Sequence, residues 1–186
     1  SNEPAEALAA ELRTLDPPGL DFAYFLSSGS EAVEAALKLA RQHWVESGAP
    51  GKHKIIATAP GYHGNTLLAL SASARARAKK IFGPWLVPVT MIAAPYPYRD
   101  LPAAPAMTAQ ALDAAIQKEG ADTVAAFICE PVGGSSTGGS APPRDYFKRV
   151  REICDKRDVL FVADEVLSGC GRTGKWTAIE HFGVVP

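Results

Sequence analysis

The chain has 186 residues, enough for one domain-sized unit with a sizeable core. Hydrophobic content of 47% and charged content of 21% are those of an ordinary globular protein. A net charge of -1 gives no basic footprint for nucleic acid, and no apolar run approaches a membrane span. Ser1 to Ala10 is acidic and alanine-rich, which is not a signal peptide. The absence of a starting methionine reads as a processed or excised piece. Cys129, Cys154 and Cys170 are odd in number and lack metal-ligand spacing. They read as free thiols in a reducing compartment, so the expectation is a cytoplasmic protein without a metal site.

In chain order, Pro4 to Leu15 reads as a helix, stopped by Asp16-Pro17-Pro18-Gly19. Phe22 to Leu26 reads as a strand. Ser30 to Glu46 is a strong helix, with Val33, Leu37, Ala40 and Trp44 on one face. Lys54 to Thr58 reads as a strand, Asn65 to Ala74 as helical and Val87 to Ile92 as a short strand. Ala93 to Thr108 is proline-rich and reads as a loop. Ala109 to Glu119 reads as a helix, Thr123 to Ile128 as a strand and Gly133 to Ser140 as a Gly/Ser/Thr loop within the domain. Arg144 to Lys156 reads as a helix and Val159 to Ala163 as a strand. Alternating strands and helices predict an α/β fold of three layers, a mostly parallel sheet with right-handed crossovers and helices on both faces. Residues 1–21 are expected to be an N-terminal helix and connection, and 22–186 the domain proper.

Four constellations fall at predicted strand ends. Ser27-Ser28-Gly29-Ser30-Glu31-Ala32 opens the long helix, and such a start presents free amides and positive dipole charge to a phosphate. The plainer alternative is an N-cap by Ser28 or Ser30, with Glu31 favouring the first turn. Gly61-Tyr62-His63-Gly64 follows a strand and offers an aromatic face and an imidazole; a plain turn would look the same. Glu130-Pro131 puts an acid at a second strand end, where an exposed loop glutamate is the alternative. Asp164 ends the apolar run Leu160-Phe161-Val162-Ala163, just before the turn Ser168-Gly169-Cys170-Gly171-Arg172-Thr173-Gly174. A carboxylate there needs a cation or backbone donors. The cation is a ligand or, in a purely structural arrangement, Arg172.

Taken together, the four describe a planar ligand that is phosphorylated and protonated on a ring nitrogen. Pyridoxal 5′-phosphate meets all three demands, and a carboxylate facing its pyridine nitrogen keeps that nitrogen protonated.

In this order, Ser28-Gly29-Ser30-Glu31-Ala32, Tyr62-His63-Gly64, Glu130-Pro131, Asp164-Glu165-Val166 and Gly171-Arg172-Thr173-Gly174 resemble the class III aminotransferases of the fold type I pyridoxal-phosphate enzymes. The ending Glu180-His181-Phe182-Gly183-Val184 also looks like that family, and the likeness runs from about Phe22 onward. The resemblance implies that Gly29 and Ser30 bind the cofactor phosphate. Tyr62 stacks on one face of the ring and Val166 packs on the other. Asp164 pairs with the pyridine nitrogen as the catalytic counter-ion, while His63 and Glu130 line the site. It also implies a homodimer, with an amino donor and a keto acid or aldehyde acceptor as the small-molecule partners.

Departures from the family pattern are equally legible. Leu167 stands where many members carry a glutamine, and Cys170 where an aromatic is common. None of the lysines has the glycine context of the family's Schiff-base lysine, and nothing corresponds to the small C-terminal domain. The expectation is the central part of the large domain, inactive by itself. Rival readings are a same-fold decarboxylase, racemase, mutase or phospho-lyase, and a non-catalytic cofactor-binding protein. A doubly wound nucleotide binder is the third, disfavoured by the lack of a dinucleotide or Walker glycine fingerprint. Tyr96-Pro97-Tyr98-Arg99 raises two options for Arg99, a substrate carboxylate or plain surface.

Overall fold

Four short apolar runs pair as one parallel sheet in a computed structural model that describes residues 2–99 and 104–186. They are β1 (Lys54–Ala59), β2 (Thr90–Ala93), β3 (Val124–Cys129) and β4 (Leu160–Ala163), in the spatial order β2-β1-β3-β4. The helices are α1 (Glu3–Leu15), α2 (Gly29–Glu46), α3 (Leu67–Ala72), α4 (Ala76–Phe82), α5 (Gln110–Glu119) and α6 (Tyr146–Arg157). The parallel pairing and the helices on both faces agree with the predicted three-layer α/β fold. No helix among the described residues is long and apolar enough to cross a membrane.

Strand alternation sorts the core into two halves. Ile55, Ala57 and Ile128 point to one face, where Val33 and Leu37 of α2 and Ala69 and Ala72 of α3 cover them. Ile56, Val124, Phe127 and Phe161 point to the other, beneath α5 and α6. Each fully buried Ile or Phe removes enough apolar surface to contribute about 1.5–3 kcal/mol. On the second face the rings of Phe127 and Phe161 stack at 6.1 Å, and those of Phe161 and Phe147 at 5.8 Å. Phe182 meets Phe147 edge-on at 4.8 Å, tying the 3-10 helix Ala178–Phe182 to α6.

Lys52 closes the amino-terminal end of the sheet. Its buried ammonium donates to the carbonyls of Ala121 and Asp158 and lies 4.5 Å from the Trp44 ring centre. Trp44 Nε1 in turn donates to the carbonyl of Ala125 at 2.8 Å, pinning α2 to β3.

Several sequence expectations need correction. Phe22 to Leu26 is no strand: Phe22 is 99% and Tyr24 76% exposed, and no ladder reaches them. Aromatic β-propensity forms a strand only against a paired, packed surface, and this segment has neither among the described residues. The helix expected over Asn65 to Ala74 is shorter, Leu67–Ala72, and a separate α4 follows it unforeseen. The expected strand Val87 to Ile92 begins only at Thr90. The proline-rich loop contains a 3-10 turn, Pro105–Thr108, and residues 100–103 of it lie outside the described residues.

The thiols give a direct check on this packing. Burial pushes the Cys154 thiol up to about 12 and raises that of Cys129 well above its ordinary value, whereas Cys170 is exposed. A thiol reagent at about pH 8 should titrate Cys170 alone in the folded chain, and all the cysteines after denaturation. Rapid reaction of Cys129 or Cys154 in the folded chain would contradict the β3–α6 packing.

Candidate active site

The carboxyl ends of β1, β3 and β4 converge beside the first turn of α2. In an open α/β sheet that edge is where ligands bind, at the point where the strand order reverses. Here β1 lies between β2 and β3, so the crevice opens between β1 and β3. Register then fixes the acids. Cys129 pairs with Ala163, and the Asp164 amide extends the ladder by donating to the Cys129 carbonyl at 2.9 Å. Glu130 and Asp164 therefore leave the sheet side by side.

Asp164 is only 6% exposed, and its charge is met by short contacts. Oδ2 lies 2.7 Å from His63 Nδ1, and Oδ1 accepts from the Val166 amide at 3.0 Å. His63 is buried too; its backbone amide donates to Ser73 Oγ at 2.8 Å. The other imidazole nitrogen, Nε2, is buried with no partner. Arg172 is exposed and makes no ion pair with Asp164, so Arg172 is not the partner of that carboxylate, while the Val166 amide supplies the backbone donor.

Tyr62 is held through its backbone amide, and the Arg75 guanidinium carbon lies 4.6 Å from its ring centre. Glu130 Oε2 accepts from the Tyr62 amide at 3.0 Å and from Ser136 Oγ at 2.8 Å, while Oε1 accepts from the Gly134 amide at 2.9 Å. Glu130 is thus neither an exposed loop residue nor free to meet a ligand with both oxygens. It ties the turn after β1 to the glycine tract, and Tyr62 as a whole is 37% exposed.

At the start of α2, Ser28 caps the helix by accepting from the Glu31 amide at 3.3 Å. Glu31 folds back to accept from the Ser27 amide at 3.0 Å and from Ser28 Oγ. Its charge therefore rests on the cap, and the first-turn amides of Gly29 and Ser30 have no helical acceptor. Ser30 Oγ accepts from the Asn65 amide at 3.0 Å. Gly64 allows that approach: at φ +137, a Cβ on it would lie 2.8 Å from the Ser30 Cα. Gly29 is equally crowded, since a Cβ there would meet Val166 Cγ1 at 2.6 Å. The sequence-predicted residues Gly29, Ser30, His63, Asp164 and Val166 thus form one cluster, with Tyr62 and Glu130 joined to it through the turn after β1.

Sequence reasoning missed the supporting residues. Ser73 and Ser136 anchor His63 and Glu130, and Glu34 accepts from Thr66 Oγ1 at 2.6 Å and from the Leu68 and Ala69 amides, starting α3. Ser and Glu at such positions carry no periodic signal. Leu167 packs against the Gly134 backbone, so the non-polar residue at that position closes the glycine tract over the site's rim. Arg99 is exposed, 5.9 Å above the Tyr96 ring, on the loop after β2.

The fit to a pyridoxal-type cofactor can be judged from the donor set. A buried carboxylate has one hydrogen-bond partner on each oxygen and, among the described residues, no ion pair with a lysine or arginine. A helix start with unoccupied amides lies within touch of Val166, and an aromatic face is open. A cationic ring nitrogen, a phosphate and a flat ring are what these groups lack, so the residues present fit the cofactor.

Fold and site define a cofactor-binding domain of the fold type I pyridoxal-phosphate class. The family model "Aminotransferase class-III" matches residues 1–186, and the chain belongs to that family. It is 38% identical to the uncharacterized aminotransferase YodT of Bacillus subtilis, over all of this chain and 43% of that protein. To the putrescine–pyruvate aminotransferase of Pseudomonas aeruginosa it is 35% identical, over all of this chain and 42% of the relative. Among solved structures, a thermostable (S)-enantioselective omega-transaminase from Thermomicrobium roseum superposes with a TM-score of 0.93 at 36% identity, covering 100% of this chain and 42% of that one. An amine transaminase from an uncultivated Pseudomonas species, solved with pyridoxal phosphate bound, gives 0.90 at 34% identity, over 100% of this chain and 43% of that one. The chain therefore spans about two-fifths of the length of the relatives it matches, and pyridoxal phosphate is the cofactor of the class.

Proposed function

We propose that the full-length protein is a pyridoxal-phosphate-dependent transaminase, moving an amino group between an amino donor and a keto acid or aldehyde acceptor. The observation that carries this reading is Asp164, buried at a strand end with an imidazole and one amide for company. The bound cofactor supplies a ring that takes up the electron pair released when a substrate C–H bond breaks. Asp164 keeps a proton on the ring nitrogen by placing negative charge against it. His63 fixes the carboxylate's direction through its 2.7 Å contact. Gly29 and Ser30 hold the phosphate at the helix start, where free amides and the dipole favour an anion. Tyr62 and Val166 bracket the ring and keep water from its faces, and Glu130 holds Tyr62 in place.

No lysine of this chain suits covalent attachment of the cofactor. Lys52 and Lys54 are bound at the amino-terminal end of the sheet, Lys79 donates to the Ser71 carbonyl, and Lys175 is exposed beyond the glycine turn. Residues 22–186 are accordingly read as part of the large domain, with residues 1–21 a peripheral helix and connection. Buried thiols fit a cytoplasmic protein, and the family likeness supports a homodimer.

Two measurements test this. The full-length protein should show a pyridoxal-type absorbance band that a carbonyl reagent removes, together with acceptor-dependent consumption of an amine. The 186-residue chain should turn over no amino donor. Turnover by the isolated chain, or a full-length protein that forms product without an amino acceptor, would sink the proposal.

A further inference from the structure

The link between α3 and α4 is stitched onto the turn after β1 residue by residue. Ser73 Oγ accepts from the His63 amide at 2.8 Å, and the Ala74 amide donates to the Gly61 carbonyl at 2.8 Å. Arg75, next in the chain, comes to rest over the Tyr62 ring. Its Nη2 donates to Ser135 Oγ at 2.7 Å, and it makes no ion pair among the described residues. No second ring or cation lies over Tyr62 among the described residues. Consecutive residues of the glycine tract receive these ties. Gly134 and Ser136 donate to Glu130, which accepts from the Tyr62 amide, and Ser135 accepts from Arg75, which covers the Tyr62 ring. Leu167, the neighbour of Val166, packs on the same Gly134.

We propose that Arg75 is a positioning residue: stacked on one face of Tyr62 and pinned by Ser135, it fixes the plane of the ring whose other face meets the cofactor. This rests on the transaminase reading, in which Tyr62 is one side of the cofactor bracket. A tyrosine held at its backbone still turns about its two side-chain bonds. That freedom is lost when a flat ligand stacks on the ring, and the loss weakens binding. A ring set in advance avoids it. The planar guanidinium selects one ring plane, whereas an ammonium is a point charge that attracts without aligning. Its edge carries the donors, so the bond to Ser135 leaves its face for the ring. Glu130 thus sets where Tyr62 sits, and Arg75 sets how its ring is turned.

The full-length protein tests this with Arg75→Met, Arg75→Lys, Tyr62→Ala and the Arg75→Met, Tyr62→Ala pair. The readouts are titration with pyridoxal phosphate, visible circular dichroism of the bound cofactor, and urea unfolding without cofactor. Arg75→Met should weaken cofactor binding about 3–10-fold and lower the dichroism even at saturation. Arg75→Lys should recover less than half of either loss. In the Tyr62→Ala background the same Arg75 substitution should change the cofactor Kd by less than about twofold, because the ring it acts through is gone. Unchanged Kd and dichroism in Arg75→Met, or the same weakening with and without the ring, would overturn the proposal. The cofactor-free midpoints keep the two readings apart. Non-additive midpoints in a protein lacking the pyridoxal band would refute the transaminase reading and keep the ring tie. Additive midpoints in such a protein would refute both. A normal band that is indifferent to Arg75→Met would keep the transaminase reading and remove Arg75 from it.

Discussion

Asp164→Ala in the full-length protein should lower kcat by at least about 10²–10³-fold while cofactor affinity falls by only about tenfold. The asymmetry follows from what the carboxylate touches. On the proposed reading, cofactor affinity would be spread over the α2 amides, the Tyr62 ring and the Val166 side chain, none of which the substitution removes. Charge at the ring nitrogen would, by contrast, lose its source, since among the described residues Asp164 is the carboxylate that contacts buried His63. Asp164→Asn sharpens the point: it keeps the shape and an acceptor for the Val166 amide but removes the negative charge, so it too should lose turnover. Stability needs its own readout. Asp164→Ala leaves both nitrogens of buried His63 without a partner, which costs about 1–3 kcal/mol and moves the urea midpoint. Kinetics, a cofactor titration and that midpoint separate the effects. Near-normal turnover, or equal loss of kcat and affinity, would count against the counter-ion role.

The order of elements was legible because the core repeats. Val33, Leu37, Ala40 and Trp44 recur at helical spacing and are all buried on α2, and β3 is an unbroken apolar run that is buried throughout. Such runs read the same in sequence and in space. Phe22 to Leu26 shows where this logic stops: propensity describes the residue, whereas a strand is a property of a pair. Unforeseen α4 buries no residue, so it left no apolar stripe to read. The site was legible as strand-end residue types but not as contacts. His63 and Asp164 are 101 positions apart, and only the β1-β3-β4 order brings them within 2.7 Å. Glu130 is the instructive case, because its two oxygens are spent on Tyr62, Gly134 and Ser136. Residue type suggested an acid lining the site; geometry makes it the tie that fixes the Tyr62 turn to the glycine tract.

Phe147→Ala should be the most damaging single change to folding, destabilising the chain by about 3–5 kcal/mol. Phe147 is fully buried on α6 and touches three rings at once: Phe161 of β4, Tyr146 beside it and Phe182 of the terminal 3-10 helix. Truncation opens a cavity walled by aromatic side chains that cannot collapse, because each is already stacked on the sheet or its neighbour. Against a total stability of about 5–15 kcal/mol, such a loss consumes much of the margin. The damage has a direction as well. Asp164 follows β4, and Phe147 is one of the α6 side chains that pack against Phe161 of β4, so loosening should reach the site through the strand. Phe147→Leu keeps most of the volume but not the ring contacts, and should lose roughly a third as much. Urea unfolding of the pair measures this, with cofactor binding read at urea concentrations where both variants remain folded. Equal midpoints for Phe147→Ala and the unsubstituted chain would mean that the aromatic stack does not hold β4 in place.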